Sequence, residues 1–283
     1  MDDVLTCDIC RTKFMSNEPF VFSDHTVYTC PLCKTRFTPS FTKTDTIYDV
    51  SYVERSPEYF NSVSTDYIRN RNLLKYIRVS GKRILDIGCG AGIFLNTLKD
   101  ANDVLGIEIS AVFEPYLKKR GIPYIIGNVE EALGALPDES YDLISLWDVF
   151  EHLEHPREVL ALIRRKLSAD GVIINWTNNY DDFISGCAEF LYRASGGAFY
   201  KILEKSFKRV GGHHYNFIPA GLERLYKEFG FDILETIITD TPVNRITASV
   251  PFSLVLRCFY GLNMLAGKGK IVCHVLRKRQ NEK

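Results

Sequence analysis

The sequence predicts an α/β fold: an open, mostly parallel sheet of seven strands, preceded by a small cysteine-rich unit. Three observations carry that expectation. From Arg83 onward, short apolar runs alternate with segments of helical spacing, the pattern of a parallel sheet joined by crossover helices. The first run ends in closely spaced glycines, Gly88, Gly90 and Gly92. Four of the eight cysteines fall within the first 33 residues, as two Cys-x2-Cys pairs.

Composition sets the outer bounds. At 283 residues, the chain is near the length at which one core splits. With 46% apolar and 25% charged residues it is an ordinary globular chain, which excludes a disordered, collagenous or coiled-coil protein. Thirty-five Lys and Arg balance 35 Asp and Glu. That zero net charge disfavours nucleic acid held by bulk electrostatics, although a local basic patch stays open. Met1-Asp2-Asp3-Val4 offers no apolar signal-peptide core. The stretch Ala248 to Ala266 is interrupted by Pro251, Arg257 and Asn263, which argues against a membrane span. The expected location is the cytoplasm, where thiols stay reduced.

The elements follow in order. Residues 1–40 read as a zinc ribbon. Cys7 and Cys10 form one knuckle, and Cys30 and Cys33, after nineteen intervening residues, a second. Each knuckle presents two thiolates from one turn. Together they close a tetrahedral, structural Zn²⁺ site with no open position. Residues 41–80, with Tyr48, Tyr52, Tyr59, Tyr67 and Tyr76, read as a linker and helical lid. The main domain spans 81–283. Its strands are expected at Ile84–Ile87, Val104–Ile107, Tyr124–Ile126, Leu143–Leu146, Val172–Ile174, Ile233–Ile238 and Ile271–Leu276, the last pair making an antiparallel edge. Helical spacing follows the glycines at Phe94, Leu95 and Leu98. It recurs at Val159, Leu160, Ile163 and Leu167, and at Leu222, Leu225, Tyr226 and Phe229, where Pro219 lies near the start and Gly230 marks the stop. An insertion over 180–212 reads as an acceptor cap. Its Lys201, Lys205, Lys208 and Arg209 suit either a solvated helix face or a phosphorylated or lipid-linked ligand. Segment 252–266 suits core or interface packing, with peripheral membrane contact left open.

The chemistry concentrates at the strand tips. Asp86 lies two residues before Gly88, and Glu108 ends the second strand. Glycines there let a ligand approach the main chain, and a carboxylate after the second strand accepts hydrogen bonds from ribose hydroxyls. A carboxylate beside a pyrophosphate would repel it, whereas it attracts a ligand carrying an ammonium and a sulfonium. Charge therefore favours S-adenosylmethionine over a dinucleotide.

The run Ile84-Leu85-Asp86-Ile87-Gly88-Cys89-Gly90-Ala91-Gly92 resembles the first motif of class I S-adenosylmethionine-dependent methyltransferases. Tyr141-Asp142-Leu143-Ile144 with Trp147-Asp148-Val149-Phe150-Glu151-His152-Leu153 is similar to the fourth-strand motif of the small-molecule branch, which includes quinone and sugar methyltransferases. The resemblance covers roughly residues 80–280 and implies a seven-stranded Rossmann-like methyltransferase sheet. It implies that Asp86, Gly88, Cys89, Gly90 and Gly92 surround the methionine portion of the cofactor. Glu108 then meets the ribose and Ile109 the adenine. Asn128 and Val129 stand where the family often has an Asp contacting the adenine amino group. Trp147 and Asp148 border the methionine and the acceptor.

A hydroxyl acceptor must lose a proton, and histidine is poised to take it near neutral pH. His152, at the start of a helix, is the first candidate base. His213 and His214, in a segment resembling the relatives' acceptor wall, are the second. The expected activity is methyl transfer to a small-molecule acceptor, at a hydroxyl oxygen. The rival readings are a nucleic-acid methyltransferase whose ribbon grips RNA and a non-catalytic binding protein. The acceptor's identity and the oligomeric state are left open.

Overall fold

The computed structural model describes residues 4–16, 18–22, 25–39, 73–76, 80–207, 212–241 and 250–280. The expected lid over 41–80 therefore lies outside the described residues, apart from a short helical turn at Leu73–Tyr76 and Ser80, as do Lys208 and Arg209.

In chain order the elements are β1 (Leu5–Thr6), β2 (Lys13–Phe14), β3 (Phe20–Val21), β4 (Thr26–Thr29), β5 (Arg36–Phe37), β6 (Arg83–Ile87), α1 (Ile93–Asn96), β7 (Asp103–Glu108), α2 (Glu114–Arg120) and β8 (Tyr124–Ile126). Then come α3 (Val129–Ala135), β9 (Tyr141–Trp147), α4 (Pro156–Lys166), β10 (Leu167–Asn178), α5 (Phe183–Ala194), α6 (Tyr200–Ser206), β11 (Tyr215–Asn216), α7 (Pro219–Glu228), β12 (Phe231–Thr239), α8 (Val250–Leu265) and β13 (Ile271–Lys278).

Seven strands form one sheet in the order β12-β13-β10-β9-β6-β7-β8, as the Rossmann-like expectation requires. Each predicted apolar run lies inside one of them. The pairs β6–β7, β6–β9, β7–β8 and β9–β10 are parallel. Parallel strands are covered on both faces, which is why β6 reads as a continuous apolar run and is buried from Ile84 to Ile87. The fifth strand begins earlier than its apolar run. Leu167 already pairs with Tyr141, and a register shift precedes Val172. Polar residues Ser168 and Asp170 disguise that start.

The chain divides into two compact units. One comprises residues 43–176, 226–235 and 274–283, the other residues 1–42, 177–225 and 236–273. In the first, helix α4 begins at Pro156, whose missing N–H costs nothing at a helix start, and buries Val159, Leu160 and Ile163. Arg164, Arg165 and Lys166 occupy its last turn, the end that favours cations.

In the second unit, residues 1–40 do not close a core by themselves. Strands β1 to β5 are two to four residues long, too short to bury enough apolar surface. The ribbon instead extends its sheet with β11, antiparallel to β5 with Tyr215 opposite Phe37. Its Phe20, Phe22 and Val27 share one buried cluster with Tyr180, Ala188, Leu203 and Phe207 of the insertion. Arg36 pairs with Glu189 at 2.5 Å and lies over the Tyr180 ring.

Candidate functional site

In the first unit, the loop after β6 carries the candidate cofactor residues. Gly88, Gly90 and Gly92 have φ of +68°, +52° and +73°, the left-handed region that other residues enter at a cost. A Cβ on Gly88 would stand 2.3 Å from Val149 Cγ2, so this glycine is needed for packing. A Cβ on Gly90 would meet nothing within 4 Å, so the loop is open on that side. The Gly90 N–H donates to Glu108 Oε2 at 2.8 Å, and the Ser110 N–H to Oε1 at 3.0 Å. Glu108 is buried at the tip of β7, and its backbone donors only partly offset the burial that raises its carboxyl above the ordinary range.

Register places Asp86 between Gly106 of β7 and Ser145 of β9. The Ser145 hydroxyl donates to Asp86 Oδ1 at 2.6 Å. Burial dominates at Asp86, which is 2% exposed. Helped by the nearby Glu108 charge and opposed by Ser145, it pushes the carboxyl up to about 8. The same burial and both carboxylates push the Cys89 thiol up. Among the described residues, no Lys or Arg pairs with Asp86 or Glu108. Two buried carboxyls with no counter-cation among the described residues suit a cationic ligand.

The neighbouring candidates are placed as follows. Ile109 is partly exposed. Asn128 caps α3, its Oδ1 accepting from the Glu130 and Glu131 N–H groups at 2.8 and 3.1 Å. That oxygen is thus engaged, and the side-chain NH₂ remains to donate. Val129 begins α3. Trp147 ends β9 with a buried Nε1–H that has no partner among the described residues. Asp148 follows at φ +55°, its N–H donating to the Trp176 carbonyl at 2.8 Å. His152 closes a short helical turn, Phe150–His152, beside the buried Glu151. A buried acidic pair, an open glycine and an unpartnered indole N–H fit a cationic nucleoside.

In the second unit, Asn178 organises the segment after the insertion. Its Oδ1 accepts from Phe217 N–H at 3.1 Å, and its Nδ2 donates to the Tyr215 carbonyl at 2.9 Å. Those two bonds fix which end of the amide is nitrogen. The same Nδ2 lies 2.9 Å from His213 Nδ1. His213 therefore accepts at Nδ1 and, when neutral, carries its proton on Nε2. His214 is buried, and its carbonyl accepts from the Thr38 N–H of the ribbon.

The four ribbon sulfurs lie within 4.8 Å of one another, with Cys7–Cys33 at 3.6 Å and Cys10–Cys30 at 3.4 Å. A tetrahedral zinc–thiolate site needs sulfurs about 3.8 Å apart, so the donor set fits. Arg11 and Lys34 follow the two knuckles with φ of +60° and +59°. Thr12 and Thr35 then meet the Cys10 and Cys33 sulfurs at 3.2 and 3.3 Å. A hydrogen bond from Cys7 holds the Cys33 thiol below its usual range and pushes Cys7 up.

Sequence reasoning missed Ser145, Asn178, Thr12 and Thr35. The threonines had a signal, since Cys10-Arg11-Thr12 and Cys33-Lys34-Thr35 repeat one pattern. Ser145 and Asn178 acquire their partners only through strand pairing.

A family described as "Methyltransferase domain" matches residues 59–236, more than half of the chain. The chain belongs to the methyltransferase domain family. The resemblance to class I S-adenosylmethionine-dependent methyltransferases, and with it the reading as an enzyme of that kind, is borne out. Among relatives, the ubiquinone biosynthesis O-methyltransferase of Thiobacillus denitrificans is 29% identical over 180 residues, 59% of this chain and 72% of that one. The mitochondrial ubiquinone biosynthesis O-methyltransferase of Schizosaccharomyces pombe is 33% identical over 122 residues, 39% of this chain and 41% of that one. The alignment thus spans less than half of the yeast protein. The same fold occurs in a SAM-dependent methyltransferase from Archaeoglobus fulgidus, with TM-score 0.58, 20% identity and coverage of 81% of this chain and 100% of that one. Among the described residues, no helix is long and apolar enough to cross a membrane.

Proposed function

We propose that this methyltransferase moves a methyl group from S-adenosylmethionine to a hydroxyl oxygen of a small molecule of quinone or sugar type. The observation that carries the cofactor assignment is the pair of buried carboxyls, Asp86 and Glu108, with no counter-cation among the described residues, at the open glycine loop. Asp86 takes the methionine ammonium, and Glu108 takes the ribose hydroxyls. Asn128 meets the adenine by donating from its side-chain NH₂, since its oxygen caps α3. Ile109 and Val129 pack against the base, and Trp147 and Asp148 border the methionine. When bound, the cofactor supplies an electrophilic methyl on a cationic sulfur. His152 would take the proton that the acceptor's hydroxyl gives up as it is methylated.

The hydroxyl acceptor rests on the relatives, both named as O-methyltransferases of ubiquinone biosynthesis. Of the other histidines, His213 offers an N–H rather than a lone pair at Nε2, which leaves it unsuited to be the base. His214 serves packing. The four thiolates hold a structural Zn²⁺ that contributes folding energy rather than chemistry.

Calorimetry with S-adenosylmethionine tests the cofactor assignment, and His152→Ala separates its two halves. The expected result is unchanged cofactor affinity with a loss of methylation of a catechol acceptor, read by mass spectrometry. Full activity in that variant would remove His152 as the base.

A further inference from the structure

Strands β6 and β9 are apolar where they are buried, and each makes one exception. Between Ile84 and Ile87 it is Asp86, and between Leu143 and Leu146 it is Ser145. Parallel register sets the two opposite each other, and they are 2% and 0% exposed. On the other side of Asp86 the register neighbour is Gly106, where a Cβ would stand 2.4 Å from the Cys89 sulfur. Of the two neighbours, Ser145 is therefore the one that reaches Asp86 with a side chain. Its hydroxyl donates to Asp86 Oδ1 at 2.6 Å, the length of an O–H···O⁻ bond, whereas its other acceptor, the Leu85 carbonyl, lies 3.5 Å away. Among the described residues, no other hydrogen bond reaches this carboxyl. Two apolar side chains of the same shape would fill this place at no loss of stability, so packing alone does not account for the pair.

The groups facing Asp86 divide by direction. Burial raises its carboxyl most, and Glu108 at the tip of β7 adds to the rise. Cys89, in the glycine loop, is itself pushed up by burial and by both carboxyls. Among the described residues no Lys or Arg pairs with Asp86. The Ser145 hydroxyl, from β9, acts the other way, because a hydrogen bond to the charged form favours that form. We propose that Ser145 is a positioning residue for the cofactor: it grips Asp86 by Oδ1, favours the carboxylate, and leaves Oδ2 to accept from the ammonium group of S-adenosylmethionine. The proposal rests on the methyl-transfer reading, in which Asp86 takes that ammonium, and adds the group that sets the carboxyl's ionisation and direction.

Carboxyl-carbon NMR of the aspartate-labelled, cofactor-free protein gives the first test. The Asp86 signal is the one missing in Asp86→Asn. In Ser145→Ala its titration midpoint should rise by about one pH unit or more, since a hydrogen bond to a charged group is lost. Ser145→Cys, a weaker donor, should give a smaller rise of the same sign. Calorimetry at neutral pH should show S-adenosylmethionine binding to Ser145→Ala weakened on the order of tenfold. In an Asp86→Asn background the same substitution should change affinity little, because the serine acts through the carboxyl. An unmoved midpoint overturns the proposal, as does wild-type affinity in Ser145→Ala or an equal loss of affinity with and without the Asp86 carboxyl. A wild type with no affinity for S-adenosylmethionine would strike the methyl-transfer reading as well, and the midpoint, read without cofactor, tells the two failures apart.

Discussion

The methyltransferase sheet around β6 and the ribbon with its insertion reach order by different routes. Strand β6 is buried along its apolar length and hydrogen-bonds to parallel strands on both sides, so local pattern and burial agree. The ribbon strands are two to four residues long and, besides pairing with one another, reach partners far along the chain. The N–H of Val21 donates to the Tyr192 hydroxyl, and Asn216 lies opposite Arg36. The first unit holds two buried carboxyls with no counter-cation among the described residues, and burial raises both above the ordinary range. The second spends its polar contacts, and its four thiols, on holding itself together.

Removing the zinc proposed for the four thiolates should separate the two most sharply. Structural zinc supplies on the order of 10 kcal/mol in small ribbons. Cys30→Ser, or chelation, is expected to abolish the cooperative melting of the ribbon-containing unit while leaving S-adenosylmethionine affinity unchanged. Calorimetric melting and titration would check both halves, and a parallel loss of cofactor affinity would break the contrast.

Asp86→Asn tests the opposite unit. Cofactor affinity should fall on the order of a hundredfold, about 3 kcal/mol, because a charge-assisted contact is lost. Stability should move the other way. The folded carboxyl is raised to about 8 from an ordinary value of 3.8. Its contribution to stability is therefore fully present below pH 4 and is lost as pH rises through 8, at up to about 1.4 kcal/mol per unit. The Asn variant should lack that slope in urea unfolding of the cofactor-free protein. In the wild type, cofactor affinity should weaken as pH falls below 8, by at most about tenfold per unit, because binding then requires a proton to leave Asp86.

Smaller effects refine the comparison within each unit. Gly88→Ala should cost about 1–3 kcal/mol by forcing a left-handed Cβ onto Val149, whereas Gly90→Ala, with open space around it, should cost less stability and chiefly weaken cofactor binding. Asn178→Ala should cost about 1–3 kcal/mol, since it strands buried partners at Tyr215 and Phe217. Nitrogen NMR should then show His213 losing its preference for a proton on Nε2.

The seven strands, the glycine loop, the acidic tips and the four cysteines were legible because each depends on residues close in sequence. Alternating apolar runs specify a parallel sheet, turns require glycine, and Cys-x2-Cys is a single turn. The early start of β10 was hidden by Ser168 and Asp170. The Ser145 partner of Asp86 depends on strand register, to which an apolar run is blind. Asn128 was recognised at its position, but its capping role reassigns which end of the amide is available.

Sequence alone determined the fold class, the glycine turn with its acidic strand tips and the thiolate set, because periodicity, turn chemistry and ligand spacing act over a few residues. Tertiary structure decided that the ribbon completes its core with residues from 177 to 225, that Asn178 sets the tautomer of His213, and that the apolar stripes of α5 and α8 face outward. Those outcomes depend on which distant segments meet, and side-chain spacing along one element is the same whichever side the rest of the protein covers.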